Sequence, residues 1–317
     1  MKYRPATIAI LLTLCVTVSA YANVAFDGIW GYLMAGEEQF LDNSYPLSDI
    51  GYFGAGLNAF GALSTVPDRA KISSFPGRVH LVVAEVGNQA LTHFALNPNY
   101  PLRDRLVDDI VRAAGGYDGV QIDFETVHPA DAGHFSVFLA LLRQRLPPEK
   151  ELSVAIPARV RKIHDAYDYA VISRIVDRVI VMAYDEHWSG SAPGSIASIE
   201  WCRRVLDYAL ATIDREKLVM GMPFYGRAWA DQKHSRAYKH STLTELKKDK
   251  KVKSVQRVKD IPFFKYTEPV SVTLYYEDVH SMLARGGIYR DAGVRFVSFW
   301  RLGQEDPAVW KALRVNR

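Results

Sequence analysis

The sequence predicts an α/β fold, a (β/α)8 TIM barrel, and three observations lead there. Eight short apolar runs recur along the 317 residues, helical patterns separate most of them, and nothing between them suggests a second domain, a repeat or low complexity. Strands that alternate with helices pair in parallel, and eight is the number that closes a barrel. Such barrels run to about 250 residues or more as one unit. An apolar fraction of 49%, with 12% aromatic residues, can fill the core of one. A doubly wound open sheet is the structural alternative. No glycine-rich phosphate loop opens a helix after the first strand, which weakens a nucleotide-binding version of it.

The chain opens on a targeting pattern. Lys2 and Arg4 make a positive start, Ala6 to Val18 is almost entirely apolar, and Ala20-Tyr21-Ala22 fits a small-residue cleavage site. The apolar run is shorter than the roughly 20 residues a spanning helix needs. Leu14 stands before Cys15 where a lipoprotein signal wants a small residue. The expectation is a cleavable signal peptide over residues 1–22, a secreted or periplasmic protein, and a single domain over 23–317 with no membrane segment. Removing Lys2 and Arg4 leaves 37 basic against 35 acidic residues, so the formal charge of +4 becomes +2. That balance gives no reason to expect nucleic acid as a partner. Of the two cysteines, Cys15 leaves with the leader, so Cys202 has no internal partner and the core must hold the fold. No Cys/His cluster has zinc spacing, and no cofactor is implied.

The strands are expected at Ile29 to Met34, Tyr52 to Ala59, Val79 to Val86, Val120 to Phe124, Leu152 to Ile156, Arg178 to Ala183, Leu218 to Met222 and Arg295 to Phe299. Leu102 to Ala114, Ala130 to Arg145, His164 to Ile175, Ile199 to Ile213 and Tyr276 to Asp291 carry apolar residues at three- and four-residue spacing, as amphipathic helices do. The long connection after the seventh strand contains KKDKKVK, Lys247 to Lys253, flanked by Pro262 and Pro269. It reads as an insertion between the seventh and eighth strands with a solvated basic face; a grip on an anionic polymer is the sharper alternative.

The fourth strand carries the chemistry. In Tyr117 to Val127, Gln121, Asp123 and Glu125 alternate with Val120, Ile122 and Phe124. Side chains alternate faces along a strand, so the polar three share one face and the apolar three the other. An exposed antiparallel strand produces the same alternation, and context decides. In a barrel the apolar set meets the helical ring, and Glu125 stands at the carboxyl-end rim where active sites form. There it can serve as a general acid toward a glycosidic oxygen, with Asp123 hydrogen-bonded to it and Gln121 a neutral donor beneath. Two carboxylates on one face of one strand cannot flank a bond from opposite sides as a retaining pair does. The attacking group therefore comes from another strand, from water or from the substrate, whose own N-acetyl group is one candidate.

At this point the sequence resembles the family 18 glycoside hydrolases. Their fourth-strand signature DGxDxDxE appears as Asp118 to Glu125, with Gln121 in place of an aspartate. M-x-Y-D appears as Met182-Ala183-Tyr184-Asp185, G-x-P-F-Y-G-R as Gly221 to Arg227, and Phe299 to Gly303 resembles the segment whose tryptophan floors the sugar site. The resemblance implies an exported glycosidase acting on a polymer that contains N-acetylglucosamine, chitin or peptidoglycan, with the substrate's acetamide as nucleophile. Glu125 would be acid and then base, Asp123 would orient the acetamide, and Tyr184 and Asp185 would hold it. Trp300 would stack under the sugar, with Tyr225 and Trp188 on the wall and Glu85 at the same rim. Two departures matter: Gln121 cannot take up a proton, and the third strand ends in Ala84-Glu85-Val86-Gly87 without the family's S-x-G-G. Both are similar to the spore-cortex and cell-wall glucosaminidase branch. A non-catalytic glycan-binding protein on the same barrel is the alternative, and a metal-dependent hydrolase using Asp185, Glu186 and His187 a third reading.

Overall fold

The computed structural model describes residues 23–230 and 234–316, so the expected signal peptide lies outside the described residues. Eight strands form the barrel: β1 (Gly28–Met34), β2 (Asp49–Leu57), β3 (Arg78–Glu85), β4 (Gly119–Phe124), β5 (Glu151–Pro157), β6 (Arg178–Met182), β7 (Leu218–Pro223) and β8 (Phe296–Trp300). Each pairs in parallel with the next, and β8 pairs with both β7 and β1, so the sheet closes. Around and between them run α1 (Gln89–Leu96), α2 (Leu102–Ala113), α3 (Ala132–Arg145), α4 (Tyr169–Ile175), α5 (Ile199–Thr212), α6 (His240–Asp249) and α7 (Val279–Asp291).

The pleat sorts the side chains as the alternation requires. Val120, Ile122 and Phe124 face outward with no exposure, and the Phe124 ring stacks against Phe135 and Phe138 of α3 at 6.3 and 5.7 Å between centroids. Burying such a side chain stabilises the fold by about 1.5–3 kcal/mol. Inside the barrel, Tyr32, Phe53 and Val82 pack with Trp300, while Ala155, Ile180 and Val219 form a second layer. Toward the amino ends of the strands His80 pairs with Asp49 at 2.9 Å and stacks on Trp30 at 4.2 Å. Gly51 of β2 admits the Tyr32 ring, because a Cβ at that position would lie 2.5 Å from it.

Three helices start later than the apolar periodicity suggests: a 3-10 turn over Pro129–Asp131 precedes α3, and caps explain the other two. Asp168 accepts the Val171 N–H and begins α4 at Tyr169, not His164. Asp278 and Ser281 form a capping box, which begins α7 at Val279, not Tyr276. The insertion differs more. Gly226–Trp229, Ser235–Tyr238, Gln256–Val258, Ile261–Thr267 and Ser271–Tyr275 form a five-stranded antiparallel sheet, and α6 packs on it. Its small core unites Ala228, Leu243, Phe264, Leu274 and Tyr276. A sheet with one covered face needs only alternate apolar residues, which is why no continuous run announces it. Cys202 is buried and unbridged.

Candidate active site

A cavity of about 470 Å3 opens at the carboxyl ends of the barrel strands. Gln121, Asp123, Glu125, Tyr184, Asp185, Tyr225 and Trp300 all line it, joined by Tyr32, Arg159, Met182, Trp201, Arg227 and Gln304. Seven of the nine residues expected at the site therefore meet in one place. The other two do not reach it. Glu85 turns back on its own loop, where Oε1 accepts the N–H groups of Gly87 and Asn88 at 3.1 and 2.8 Å. Trp188 is 56% exposed and outside the cavity lining, and its carbonyl accepts the Trp229 indole N–H.

Glu125 is the first residue past β4, and its N–H donates to the Glu85 carbonyl at 2.9 Å. Tyr167 braces the backbone on either side of it: its hydroxyl donates to the Phe124 carbonyl at 2.6 Å and accepts the Val127 N–H at 3.2 Å. The Glu125 side chain is open to the cleft. Desolvation by the cleft walls, and then the charge of Asp185, raise its carboxyl above the usual range. Asp123 is buried, 4% exposed, and its Oδ1 has no hydrogen-bond partner among the described residues. Burial and the nearby Glu125 charge push it up to about 8.

Two expectations about this pair need correction. The Glu125 charge acts on Asp123, but no direct hydrogen bond joins the two among the described residues. Gln121 does not donate to Asp123 either. Its amide meets the Tyr32 hydroxyl through both Oε1 and Nε2, at 2.9 and 2.8 Å. Residues two apart on a strand stand about 6.6 Å apart along it, whereas Tyr32 reaches Gln121 across the barrel.

The opposite side of the cavity is built at the end of β6. Asp185 takes φ 59°, a left-handed conformation that Asp adopts more readily than most residues, and this turns its carboxylate toward Tyr225. The Tyr225 hydroxyl donates to Asp185 Oδ1 at 2.5 Å, and an Arg227 guanidinium nitrogen lies 4.0 Å from the same oxygen. Gly221 makes room for the Tyr184 ring, which a Cβ would meet at 3.1 Å. Burial holds the Tyr184 phenol far above its ordinary value, so it stays a neutral O–H donor. Trp300 packs on Tyr32 and Phe53 at 5.5 and 4.8 Å between ring centroids. Glu186 and His187 hold the loop that follows instead of joining Asp185: Glu186 accepts the Ser198 N–H and His187 Nδ1 contacts the Ser195 carbonyl.

The raised Asp123 carboxyl has a consequence for stability. Between its ordinary 3.8 and about 8 the unfolded chain releases this proton while the folded chain keeps it. Stability therefore falls as pH rises through that window and levels off above it. Asp123→Asn is expected to remove this part of the slope and to raise Tm above wild type at pH 8. Thermal unfolding at pH 4, 6 and 8 checks it. A wild-type-like slope in the variant would mean that Asp123 is already ionised in the folded protein at neutral pH.

Tyr32 and Arg227 were within reach of the sequence. Tyr32 stands at an inward position of the first strand, and Arg227 closes the G-x-P-F-Y-G-R segment. Arg159 and Gln304 sit beyond strand ends, where no periodicity marks them, and Trp201 stands in the first turn of α5, whose periodicity marks a helix but not a site.

The profile of the glycosyl hydrolases family 18 matches residues 95–305, which contain the fourth-strand, sixth-strand and seventh-strand segments and Trp300. The chain belongs to this family. Its relatives include the uncharacterized glycosylase YvbX of Bacillus subtilis (strain 168), 31% identical over 229 residues, covering 68% of this chain and 67% of that protein. The cortical fragment-lytic enzyme of the same organism is 28% identical over 254 residues, covering 74% of this chain and 58% of that protein. The chain spans 53% to 68% of the length of the Bacillus relatives it matches. Among solved structures, the Bacillus cereus spore cortex-lytic enzyme SleL superposes with a TM-score of 0.82 at 22% identity, over 92% of this chain and 74% of that one. At that identity the likeness speaks for the fold, the closed barrel described above.

Proposed function

We propose that this family 18 hydrolase is an exported, retaining β-N-acetylglucosaminidase that cleaves β-1,4 bonds in a polymer containing N-acetylglucosamine, peptidoglycan or chitin. One observation carries the reading. Asp123 and Glu125 rise together from β4, and the groups facing them include a phenol and an aspartate that is itself held by Tyr225, not a free nucleophile. Such a site has an acid but relies on the substrate for the attacking group, as family 18 chemistry does.

The steps follow from the groups in the cavity. Glu125, its carboxyl raised by the cleft walls and the Asp185 charge, donates in its protonated form to the glycosidic oxygen as the bond from that oxygen to the anomeric carbon breaks. The acetamide carbonyl oxygen of the same sugar attacks the anomeric carbon, giving a cyclic oxazolinium ion. Asp123 faces the acetamide nitrogen, and Tyr184 donates to the acetamide oxygen before attack, which restricts its rotation. Water then adds to the anomeric carbon, Glu125 takes its proton, and the ring opens with overall retention. Trp300 supplies the apolar floor for the sugar. Export rests on the composition of residues 1–22 alone.

Product release from purified peptidoglycan and from chitin oligomers, compared by mass spectrometry and by NMR of the nascent anomer, tests the proposal. Fragments ending in a reducing β-anomer of N-acetylglucosamine are expected, and the productive polymer identifies the substrate. Release of the α-anomer would refute the substrate-assisted route. Binding to either polymer without any release would favour a glycan-binding protein in place of a glycosidase.

A further inference from the structure

The insertion holds a second cavity, of about 490 Å3, as large as the catalytic one and built from different residues. It forms where α6 ends. Lys251 adopts φ 50° there, and its N–H bonds back to the Lys248 carbonyl while Val252 N–H bonds to Lys247. This left-handed turn closes the helix and brings Lys251 and Lys253 to the cavity wall. Lys265 borders it from the strand Ile261–Thr267, and the half-buried Tyr266 ring of the same strand gives it an apolar side.

The charges are unevenly satisfied. Lys250 is paired with Glu268 at 2.8 Å and with Asp249 at 3.0 Å, which uses both acids of the lining. Lys251, Lys253 and Lys265 have no hydrogen-bond or ion-pair partner among the described residues. A merely solvated basic face would not need a concavity with an apolar wall. The catalytic cleft is also bordered by this sheet, through Arg227 and Ala237, while Phe264 shares the core under α6. One insertion thus serves two cavities.

We propose that the lysine cavity is a non-catalytic glycan site that holds carboxylate groups of an acidic polymer and keeps the enzyme on it between cuts. The inference rests on the glycosidase reading and narrows it, since chitin carries no carboxylates and peptidoglycan carries them on its stem peptides. Asp249 and Glu268 at the same wall disfavour a dense polyanion such as nucleic acid, whereas sparse carboxylates can address the three free ammonium groups singly.

The test is binding of purified peptidoglycan sacculi by the chain carrying Glu125→Gln, with and without Lys251→Glu and Lys253→Glu. Reversing both charges is expected to weaken binding about tenfold. Lys251→Gln with Lys253→Gln should give a smaller loss, and sacculi with amidated carboxyls should bind the unreversed chain as weakly as the reversed one binds native sacculi. With Glu125 intact, kcat/KM on a short soluble oligosaccharide should not change, because neither lysine lines the catalytic cavity. Equal binding of native and amidated sacculi, or of the lysine variants and their parent, would overturn the inference. Lysine-dependent binding in a protein that releases no product would instead keep the site and overturn the glycosidase reading.

Discussion

Replacing Glu125 with Gln is expected to lower kcat on the productive polymer about 10²–10⁴-fold while leaving oligomer binding near the wild-type level. The variant keeps the shape of the side chain and its place at the end of β4, where the Glu85 carbonyl and the Tyr167 hydroxyl hold the backbone. It loses the one capacity the mechanism requires, a proton that can be given to a leaving oxygen and recovered from water. The raised Glu125 carboxyl adds a pH signature. A general acid must be protonated, so activity falls as pH rises through its value in the cleft, and that alkaline limb is displaced upward from the ordinary carboxyl range. Reducing-end release measured from pH 4 to 9 in both proteins checks the two statements together. A loss smaller than about tenfold would assign the acid to another group in the cavity.

Breaking the buried pair between Arg285 and Glu277 is the largest stability effect expected. Arg285 has no exposure and Glu277 is 2% exposed. One guanidinium nitrogen donates to both Glu277 oxygens at 3.0 Å and to the Ala197 carbonyl at 2.6 Å. Ser281 Oγ donates to the same carboxylate at 2.7 Å. Arg285→Leu leaves a carboxylate buried without its cation, which typically costs about 3–5 kcal/mol. At about 2.1 cal/mol/K of unfolding entropy per residue, that corresponds to a fall in Tm of roughly 5–8 °C.

The position of the pair makes this more than a stability statement. Glu277 lies where the insertion returns to α7, and Ala197 lies on the loop from Asp185 to α5. The pair therefore fixes the insertion to the loop whose first residue lines the catalytic cavity. Replacing both partners with apolar residues, Arg285→Met and Glu277→Leu, should recover much of the lost stability, since an apolar pair of similar volume removes both desolvation costs. Thermal unfolding of the single and double variants decides it. A double variant no more stable than Arg285→Leu would show that the bond to Ala197, not the ion pair, supplies most of the effect.

The barrel strands were legible because their helix-facing rows bury continuous apolar surface. Val79, Leu81 and Val83, or Val120, Ile122 and Phe124, have no exposure, and such rows leave a period-two signal however the rest of the chain folds. The second strand was placed late, at Tyr52 in place of Asp49, because Asp49 and Gly51 break the apolar pattern. Both residues are explained by contacts far away in sequence, Asp49 by its pairing with His80 and Gly51 by the Tyr32 ring. The insertion sheet was hidden for the opposite reason. Its strands are short, one face is open in places, and its core is only five buried side chains.

The catalytic strand divides along the same line. Which of its side chains point into the barrel is a property of the pleat, so the alternation from Gln121 to Glu125 was enough to place them. What those side chains meet is set by closure of the sheet. Tyr32 reaches Gln121 across 89 positions of sequence, and Tyr225 reaches Asp185 across 40. Glu85, expected on the same rim, instead caps the turn beside it because two backbone N–H groups lie nearer than the cavity. Backbone geometry repeats locally and can be read residue by residue. Hydrogen-bond partners and desolvation depend on which strands the barrel brings side by side, and those distances exist only once the sheet has closed.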